Sequence, residues 1–167
     1  MGSKNKLKRS RENETFPNVI QPSREELLEG AFELRGHWSG HFQNDRPIVL
    51  ELGCGKGEYS LALARRNPEI NYIGVDIKGA RIWRGAKTAL SEGLSNVAFL
   101  RMQIELIDLA FAPGEVSEIW ITFPDPFLRK SKANRRLTAP RFLDAYQKVL
   151  RPGGLIHLNT DETNLYA

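Results

Sequence analysis

The chain has 167 residues, which is enough for one globular domain with a core of its own. It is 41% hydrophobic and 26% charged, and its apolar runs are far shorter than the roughly 20 residues of a membrane span, which excludes a membrane protein. A single cysteine excludes an internal disulfide, and the N-terminus lacks the apolar segment of a secretory signal. We therefore expect a cytoplasmic protein without a membrane partner.

The net charge of +4 is unevenly distributed along the chain. Residues 1–24 alone carry a net charge of +4, and residues 129–141 hold six lysines and arginines without any acidic residue. The remainder of the chain is therefore net acidic. Two basic segments on an acidic body predict a polyanionic partner. For the first segment, a solvated basic tail without any partner is an equally good interpretation.

The N-terminal part of the chain is polar and basic and contains two prolines. This composition predicts a flexible arm over residues 1–22, followed by one domain over residues 23–167. Ser23 and Glu26 have the spacing of a capping box, which predicts a helix that begins there and ends at Gly36. The expected apolar face of this helix consists of Leu27, Leu28, Ala31 and Phe32.

Strands and helices alternate through the rest of the chain. A loop is expected first, over residues 37–47, and neither of its histidines has a partner at metal-ligand spacing, so no metal site is expected. Apolar runs predict strands at 47–52, 71–75, 97–100, 118–123 and 155–159. Helical patterns lie between them, near 58–66, 78–92 and 104–110, and a further helix begins at Pro140. Repeated βα units predict an α/β fold with a mostly parallel sheet, helices on both faces, and the first and fourth of these strands as neighbours.

A glycine-rich turn follows the first of these strands. Gly53, Gly55 and Gly57 let the backbone bend sharply and let a ligand approach it closely, and the next helix offers free N–H groups behind the turn. Asp76 ends the second strand about 20 positions later, where an acidic residue can accept hydrogen bonds from ribose hydroxyls. The alternative is an ordinary βα turn in which Asp76 caps a helix. A nicotinamide-dependent oxidoreductase is a second alternative, although the spacing is G-x-G-x-G rather than G-x-G-x-x-G.

Asp125 follows the fourth strand directly and lies between two prolines, which restrict the backbone on both sides. A carboxylate held at the ligand edge of a sheet is suited to an active site, whereas a turn that merely leaves the sheet is the structural alternative. The basic loop that comes next predicts a substrate with phosphates around the reacting group. A non-catalytic RNA-binding module would use only these basic segments, without any role for Asp125.

These motifs together closely resemble those of the tRNA (guanine-N7-)-methyltransferases. The resemblance covers about residues 45–167 and includes the glycine turn, the strand that ends at Asp76, the Phe-Pro-Asp-Pro segment around Asp125, the Arg-Arg-Leu that follows it, and the pair Thr160-Asp161. It implies a Rossmann-like class I methyltransferase, with S-adenosylmethionine as donor and N7 of a tRNA guanine, usually position 46 in the variable loop, as acceptor. Chains of this family run on for several dozen residues past this point, so we expect a sheet truncated after its fifth strand. A monomer and a homodimer are both compatible with the sequence.

The resemblance also implies roles for individual residues. Glu51 and the turn of Gly53, Gly55 and Gly57 would hold the methionine end of the cofactor, Asp76 its ribose, and Gln103 its adenine. Gln103 falls where the family commonly has an acidic residue, and Arg129 falls where the family usually has a substrate-binding lysine. Asp125 would be catalytic, Arg129 and Asp161 would bind substrate, and Lys130, Lys132, Arg135 and Arg136 would contact RNA. Asp125 would either stabilise the developing positive charge or accept hydrogen bonds from guanine N1–H and its amino group.

Overall fold

A computed structural model of the chain describes residues 3–122 and 137–159. Six strands form one sheet in the order β1-β4-β3-β2-β5-β6, and all five strand pairs are parallel. The strands are β1 (Val19–Ile20), β2 (Ile48–Leu52), β3 (Asn71–Asp76), β4 (Val97–Arg101), β5 (Val116–Thr122) and β6 (Leu150–Asn159). The helices are α1 (Ser3–Thr15), α2 (Arg24–Leu28), α3 (Trp38–Phe42), α4 (Glu58–Arg66), α5 (Gly79–Glu92) and α6 (Pro140–Val149), with a 3-10 helix, η1 (Ile104–Leu109), between β4 and β5.

The strand order reverses at β2. The chain passes from β2 outward to β3 and β4, and then returns to place β5 on the other side of β2. Leu52 is level with Val75 in β3 and with Ile121 in β5, so the carboxyl ends of the three strands meet at one edge. This confirms the predicted neighbours, and it creates the reversal point at which ligands bind in open α/β sheets.

Two hydrophobic cores cover the two faces of the sheet. Side chains of β2 alternate between them: Leu50 and Leu52 enter the core that α6 and η1 cover, whereas Val49 enters the core that α4 and α5 cover. All five residues of β2 are buried, as expected for a parallel strand that is covered on both faces. The glycine turn is therefore fixed to the most deeply buried strand of the described sheet.

Phe99 of β4 fills a pocket that glycines leave open, which we call the Phe99 socket. A Cβ placed on Gly57 would lie 2.5 Å from Phe99 Cε1, and one on Gly85 would lie 2.8 Å from Phe99 Cζ and 2.6 Å from the carbonyl oxygen of Lys56. A Cβ on Gly74 would lie 3.0 Å from the same ring. Glycine at these positions allows the glycine turn, β3 and α5 to close around a fully buried phenylalanine.

Most of the predicted N-terminal arm has regular secondary structure. Residues Ser3–Thr15 form α1, and β1 pairs with β4 at the edge of the sheet. The polar composition of α1 gives no apolar stripe that would predict a helix, and the contacts that hold it come from α5, some 70 residues away. The division of the chain into an arm and a domain remains a prediction.

The helix that follows the arm is shorter than the predicted one. The predicted capping box is present, because Ser23 Oγ accepts from Glu26 N at 3.0 Å and Glu26 Oε1 accepts from Ser23 N at 3.2 Å. The helix is nevertheless only α2, since Gly30 adopts φ 73° well before Gly36. Leu28, placed on the apolar face, is 54% exposed, and the predicted loop at 37–47 contains α3.

The last strand begins earlier than predicted. β6 starts at Leu150 rather than at residue 155, so the Pro-Gly-Gly at positions 152–154 lies inside the strand, opposite a register shift between Val116 and Glu118 of β5. A bulge of this kind accommodates proline and glycine within a paired strand.

In the described parts of the chain, no helix has both the length and the apolar character required to cross a membrane.

Candidate active site

The glycine turn forms a tight backbone loop at the carboxyl end of β2. Gly53, Gly55 and Gly57 have φ values of 72°, 55° and 76°, which favour glycine because a Cβ is strained in this region. The backbone N–H groups of Gly53 and Cys54 donate to the carbonyl of Val75 at 2.8 and 3.1 Å, which ties the turn to β3. A Cβ on Gly55 would meet no described atom within 4 Å, so the described residues leave room for a ligand beside the turn.

Asp76 joins the glycine turn to the start of α5. Its Oδ2 accepts from the Gly55 N–H at 2.9 Å, and its Oδ1 accepts from the Lys78 N–H at 2.9 Å. Lys78 is the residue that precedes the first turn of α5, so the carboxylate does organise a helix start, as the structural alternative expected. Each carboxylate oxygen can accept a second hydrogen bond, which leaves capacity for two ribose hydroxyls.

Glu51 is buried beneath the turn, with 5% of its surface exposed. Ser60 Oγ donates to Glu51 Oε1 at 2.7 Å, and the hydroxyl of Thr122 donates to Oε2. Burial raises the pKa of Glu51, the two hydroxyl hydrogen bonds lower it, and the negative charge of Asp76 raises it further. The net effect of this environment favours the neutral form of Glu51 more than water does.

Ser60 and Thr122 are not among the predicted site residues. A usable signal exists for each, since Ser60 lies in the first turn of the helix behind the glycine turn and Thr122 ends the strand next to β2. Polar side chains at the carboxyl ends of neighbouring parallel strands meet at one edge, so both could have been proposed as partners of Glu51.

A cleft of about 420 Å³ opens beside Asp76, at the ends of β3 and β4. Gln103 lies in its wall, and Gln103 Oε1 accepts from Arg24 Nη1 at 2.9 Å. Ile77, directly after Asp76, also lines the cleft and is 47% exposed. The remaining walls are formed by Gln21, Pro22, Ser23, Arg24, Leu27, Arg101, Met102 and Leu106. An apolar side chain and an amide at the mouth of a cleft of this size suit a flat heterocycle with hydrogen-bonding edges.

Cys54 lies within the glycine turn, where its side chain is buried. The thiol is buried, and burial, followed by the nearby charges of Glu51 and Asp76, raises its pKa well above the usual value. A thiol kept neutral in this way packs as a small apolar group. It lies against Gly74, where an added Cβ would stand 2.9 Å from Cys54 Sγ.

Seven of the predicted site residues lie outside the described residues: Asp125, Arg129, Lys130, Lys132, Arg135, Arg136 and Asp161. The residues that flank the first six are described, and both lie beside the glycine turn. Thr122 donates to Glu51, and Leu137 Cδ1 lies 3.5 Å from the position of a Cβ on Gly53. The carbonyl of Leu137 accepts from the Tyr146 hydroxyl at 2.8 Å, which fixes this residue to α6. The described residues on both sides of positions 123–136 therefore lie next to the glycine turn or to the glutamate beneath it.

Comparisons with known proteins agree with this geometry. A family model described as "Putative methyltransferase" matches residues 45–167. A tRNA (guanine-N(7)-)-methyltransferase from Christiangramia forsetii is 65% identical over 162 residues, which cover 96% of this chain and 72% of that protein. A protein of the same name from Porphyromonas gingivalis is 60% identical over 156 residues, which cover 92% of this chain and 63% of that protein. The chain thus spans about two thirds of the length of these curated relatives.

A solved structure with the same fold is a variant of the 16S rRNA (adenine(1408)-N(1))-methyltransferase from Catenulisporales acidiphilia, determined with cosubstrate SAM. It is 23% identical, the TM-score is 0.59, and the match covers 72% of this chain and 60% of that chain. The parallel sheet, its reversal at β2 and this likeness define a Rossmann-like class I methyltransferase fold, as predicted. Within that class, the chain belongs to the family of the tRNA (guanine-N(7)-)-methyltransferases.

Proposed function

We propose that this protein transfers a methyl group from S-adenosylmethionine to N7 of a guanine in tRNA. The observation that carries the proposal is the 65% identity, over nearly the whole chain, to a relative of that name. The arrangement of Glu51, the glycine turn and Asp76 at the reversal point of the sheet supports it. Membership of this family favours a methyltransferase over the nicotinamide-dependent oxidoreductase that the glycine turn alone would allow.

The described residues fit the cofactor. S-adenosylmethionine supplies a methyl group that is already activated on a sulfonium. The space beside Gly55 would let S-adenosylmethionine approach the backbone of the glycine turn closely. The two carboxylate oxygens of Asp76 would each accept a second hydrogen bond, from the ribose hydroxyls of the cofactor. Gln103 and Ile77 would contact adenine in the cleft. Glu51 would face the methionine end from below the turn, where its carboxylate can still accept a hydrogen bond from an ammonium.

The chemistry at guanine requires little of the protein beyond position and charge. N7 carries an in-plane lone pair and no proton, so no strong general base is needed, and alignment of the reacting atoms supplies much of the rate. Methylation makes the ring cationic, so a carboxylate near it stabilises the charge that develops. We assign this role to Asp125, which follows Thr122 after two residues in the segment that leaves the glycine turn. Arg129 and Asp161 would bind the substrate, and Lys130, Lys132, Arg135 and Arg136 would contact the RNA backbone.

The activity is tested by incubating the protein with S-adenosylmethionine and unmodified tRNA, followed by mass spectrometry of the nucleosides. We expect 7-methylguanosine, and digestion with a base-specific ribonuclease before sequencing of the fragments should place it at position 46 of the variable loop. Methylation of another guanine would move the site while keeping the activity. A methylated product other than 7-methylguanosine, or none with tRNA from several sources, would contradict the proposal.

Asp125 and the basic loop should fail in different ways. Asp125→Ala should reduce the methylation rate by about 100-fold or more, because a group that stabilises transition-state charge typically contributes on that scale. tRNA should still bind. Asp125→Asn keeps the shape and removes the charge, so a rate near that of the alanine variant would identify charge stabilisation as the main role.

The paired variant Arg135→Ala/Arg136→Ala provides the contrast. It should weaken tRNA binding and flatten its dependence on salt, while S-adenosylhomocysteine binding stays unchanged. An Asp125→Ala protein that methylates N7 at the unmutated rate would show that Asp125 is a structural turn residue and that its catalytic assignment is wrong.

A further inference from the structure

Helix α1 is attached to α5 by specific polar contacts. Glu12 Oε2 accepts from Trp83 Nε1 at 2.7 Å, and Asn13 Nδ2 donates to the carbonyl of Gly79 at 2.9 Å. Trp83 is 8% exposed and Asn13 is 1% exposed, so these contacts are shielded from water. A helix held in this way presents its other side chains at a defined position on the surface.

Three cations surround the Trp83 ring: Arg84 and Lys87 belong to the same helix as Trp83, and α1 adds Arg9. The Arg9 guanidinium carbon lies 4.4 Å from the centroid of the Trp83 ring, Arg84 Cζ lies 4.9 Å from it, and Lys87 Nζ lies 4.8 Å from it. The electron-rich ring attracts each cation, but the cations repel one another. The attraction orients the three side chains, and the repulsion makes the surface favour an added anion.

Exposed cations extend this cluster along both helices, and we call the whole surface the basic ridge. Helix α1 has five lysines and arginines and two glutamates, and α5 has three and one, an excess of five positive charges in a chain whose net charge is +4. The exposed or half-buried members are Lys6, Lys8, Arg9, Arg11, Arg81, Arg84 and Lys87. Among the described residues, none of these cations forms an ion pair.

We propose that the basic ridge binds the phosphate backbone of tRNA, as a second contact outside the candidate active site. The choice of RNA as the polyanion rests on the proposed function, whereas the need for a polyanion comes from the unpaired charges. Arg81, Arg84 and Lys87 are three residues apart and form one stripe of α5. The stripe and α1 together make a surface that is charged but not shaped for any base, which suits a backbone contact that positions RNA without reading its sequence.

The test compares two triple variants of the full chain that lose the same charge. The ridge variant is Arg9→Gln/Arg84→Gln/Lys87→Gln. The control is Arg46→Gln/Lys148→Gln/Arg151→Gln, whose residues are exposed, lie outside α1 and α5, and are near the amino ends of β2 and β6. tRNA binding is measured by fluorescence anisotropy at several salt concentrations, and S-adenosylhomocysteine binding by calorimetry reports whether each variant is folded.

For the ridge variant we expect tRNA affinity to fall by about tenfold or more at low salt. The plot of log affinity against log salt concentration should become shallower. The magnitude of its negative slope should fall by about two to three, since each lost phosphate contact reduces that magnitude by roughly one. The control should differ little from the unmutated protein in both quantities, and both variants should bind S-adenosylhomocysteine normally. Because binding is measured without turnover, this result can be obtained even if no 7-methylguanosine forms, which separates the failure of the two proposals.

Two results would overturn the inference. In the first, the ridge variant and the control bind tRNA with the same affinity and the same salt slope. In the second, the ridge variant binds tRNA normally but loses binding to vesicles that contain phosphatidylglycerol, which would make the ridge a surface for anionic lipid.

Discussion

The carboxyl edge of the sheet and the basic ridge both concentrate charged side chains, but among the described residues only those at the edge are hydrogen-bonded to other groups of the protein. At the edge, Glu51 and Asp76 each accept two hydrogen bonds from groups of the protein itself. On the ridge, the cations around Trp83 contact a ring and face solvent, and none of the described ones is in an ion pair. The carboxylates at the edge are thus held in place by the protein itself, whereas the cations of the ridge have no anionic partner among the described residues.

The difference fits what each region is proposed to bind. A small cofactor makes few contacts, so each must already be in position if little affinity is to be lost in ordering the site. A nucleic acid backbone is long and its attraction acts over about 10 Å at moderate salt, so loosely placed cations are sufficient. Variants at the edge should therefore damage a precise geometry, whereas variants on the ridge should change charge in small increments.

The largest effect is expected at the Phe99 socket, which supports the edge. Gly85→Ala places a Cβ 2.6 Å from the backbone oxygen of Lys56 in the glycine turn, and a backbone atom cannot move aside cheaply. We expect a loss of about 1–3 kcal/mol in the free energy of unfolding, measured by urea denaturation, together with weaker S-adenosylhomocysteine binding.

Gly40→Ala is a matched control for this change. Gly40 lies in α3, is exposed, and has no described atom within 4 Å of an added Cβ. Alanine there should stabilise the protein by about 0.5–1 kcal/mol, because glycine is the poorer helix residue. If both substitutions have the same sign, the socket is not the tight constraint that its distances indicate.

Asp76→Ala should have the next largest effect. It removes the acceptor of the Gly55 and Lys78 N–H groups as well as the proposed ribose contacts. S-adenosylhomocysteine binding, followed by calorimetry, should weaken by about 1–3 kcal/mol, the scale of lost charge-assisted hydrogen bonds. Asp76→Asn keeps one acceptor oxygen and should lose less. Binding that is unaffected by either change would leave Asp76 with the helix-capping role alone.

Glu51→Gln should separate stability from binding. The pKa of Glu51 is raised in the folded state, so its contribution to stability is greatest below its usual pKa, about 4.5, and declines as the pH rises through the folded-state value. Glutamine has no such dependence. The variant should therefore gain in melting temperature relative to the unmutated protein as the pH increases above about 4.5, while its affinity for S-adenosylhomocysteine falls. A constant difference across this range would contradict the assigned environment of the carboxylate.

The smallest effect is expected where α1 joins α5. Glu12→Ala removes the acceptor of the Trp83 N–H and should cost about 1 kcal/mol, seen as faster hydrogen exchange of the α1 amides while those of β2 and β3 are unchanged. Glu14→Ala removes the same charge from an exposed position in the same helix and serves as the control. Equal exchange in the two variants would mean that the contact with Trp83 does not hold α1 in place.

The alternation of β2, α4, β3, α5 and β4 could be predicted because its signals are local. Apolar runs of strand length, glycines that adopt positive φ and an amphipathic α5 each specify their own element, and the reversal at β2 follows from the general topology of such sheets. The position of Glu51 and Asp76 at one edge was predictable for the same reason.

The errors arise where distant contacts or single turn residues decide the structure. Helix α1 has a polar sequence and depends on Trp83, and the capping box at Ser23 opened a helix that Gly30 ended early. The partners of Glu51 were missed because Ser60 and Thr122 are separated from it by 9 and 71 residues. The signals that were available, the first turn of α4 for Ser60 and the end of β5 for Thr122, become useful only once the neighbouring strands are known.

The pairing of β1 with β4 has a consequence for how the N-terminal arm can be studied. The backbone N–H of Phe99 donates to the carbonyl of Asn18 at 2.8 Å, and Val19 is the strand partner of Phe99, whose ring fills the socket beneath the glycine turn. Removing the arm would therefore expose the edge of β4. It would also remove the strand partner of Phe99, whose ring packs beneath the glycine turn. A loss of activity in such a shortened protein would have two causes, the missing positive charges of α1 and a less rigid glycine turn. Substitutions that replace the lysines and arginines of α1 by uncharged residues would remove only the charges and would leave the pairing of β1 with β4 intact.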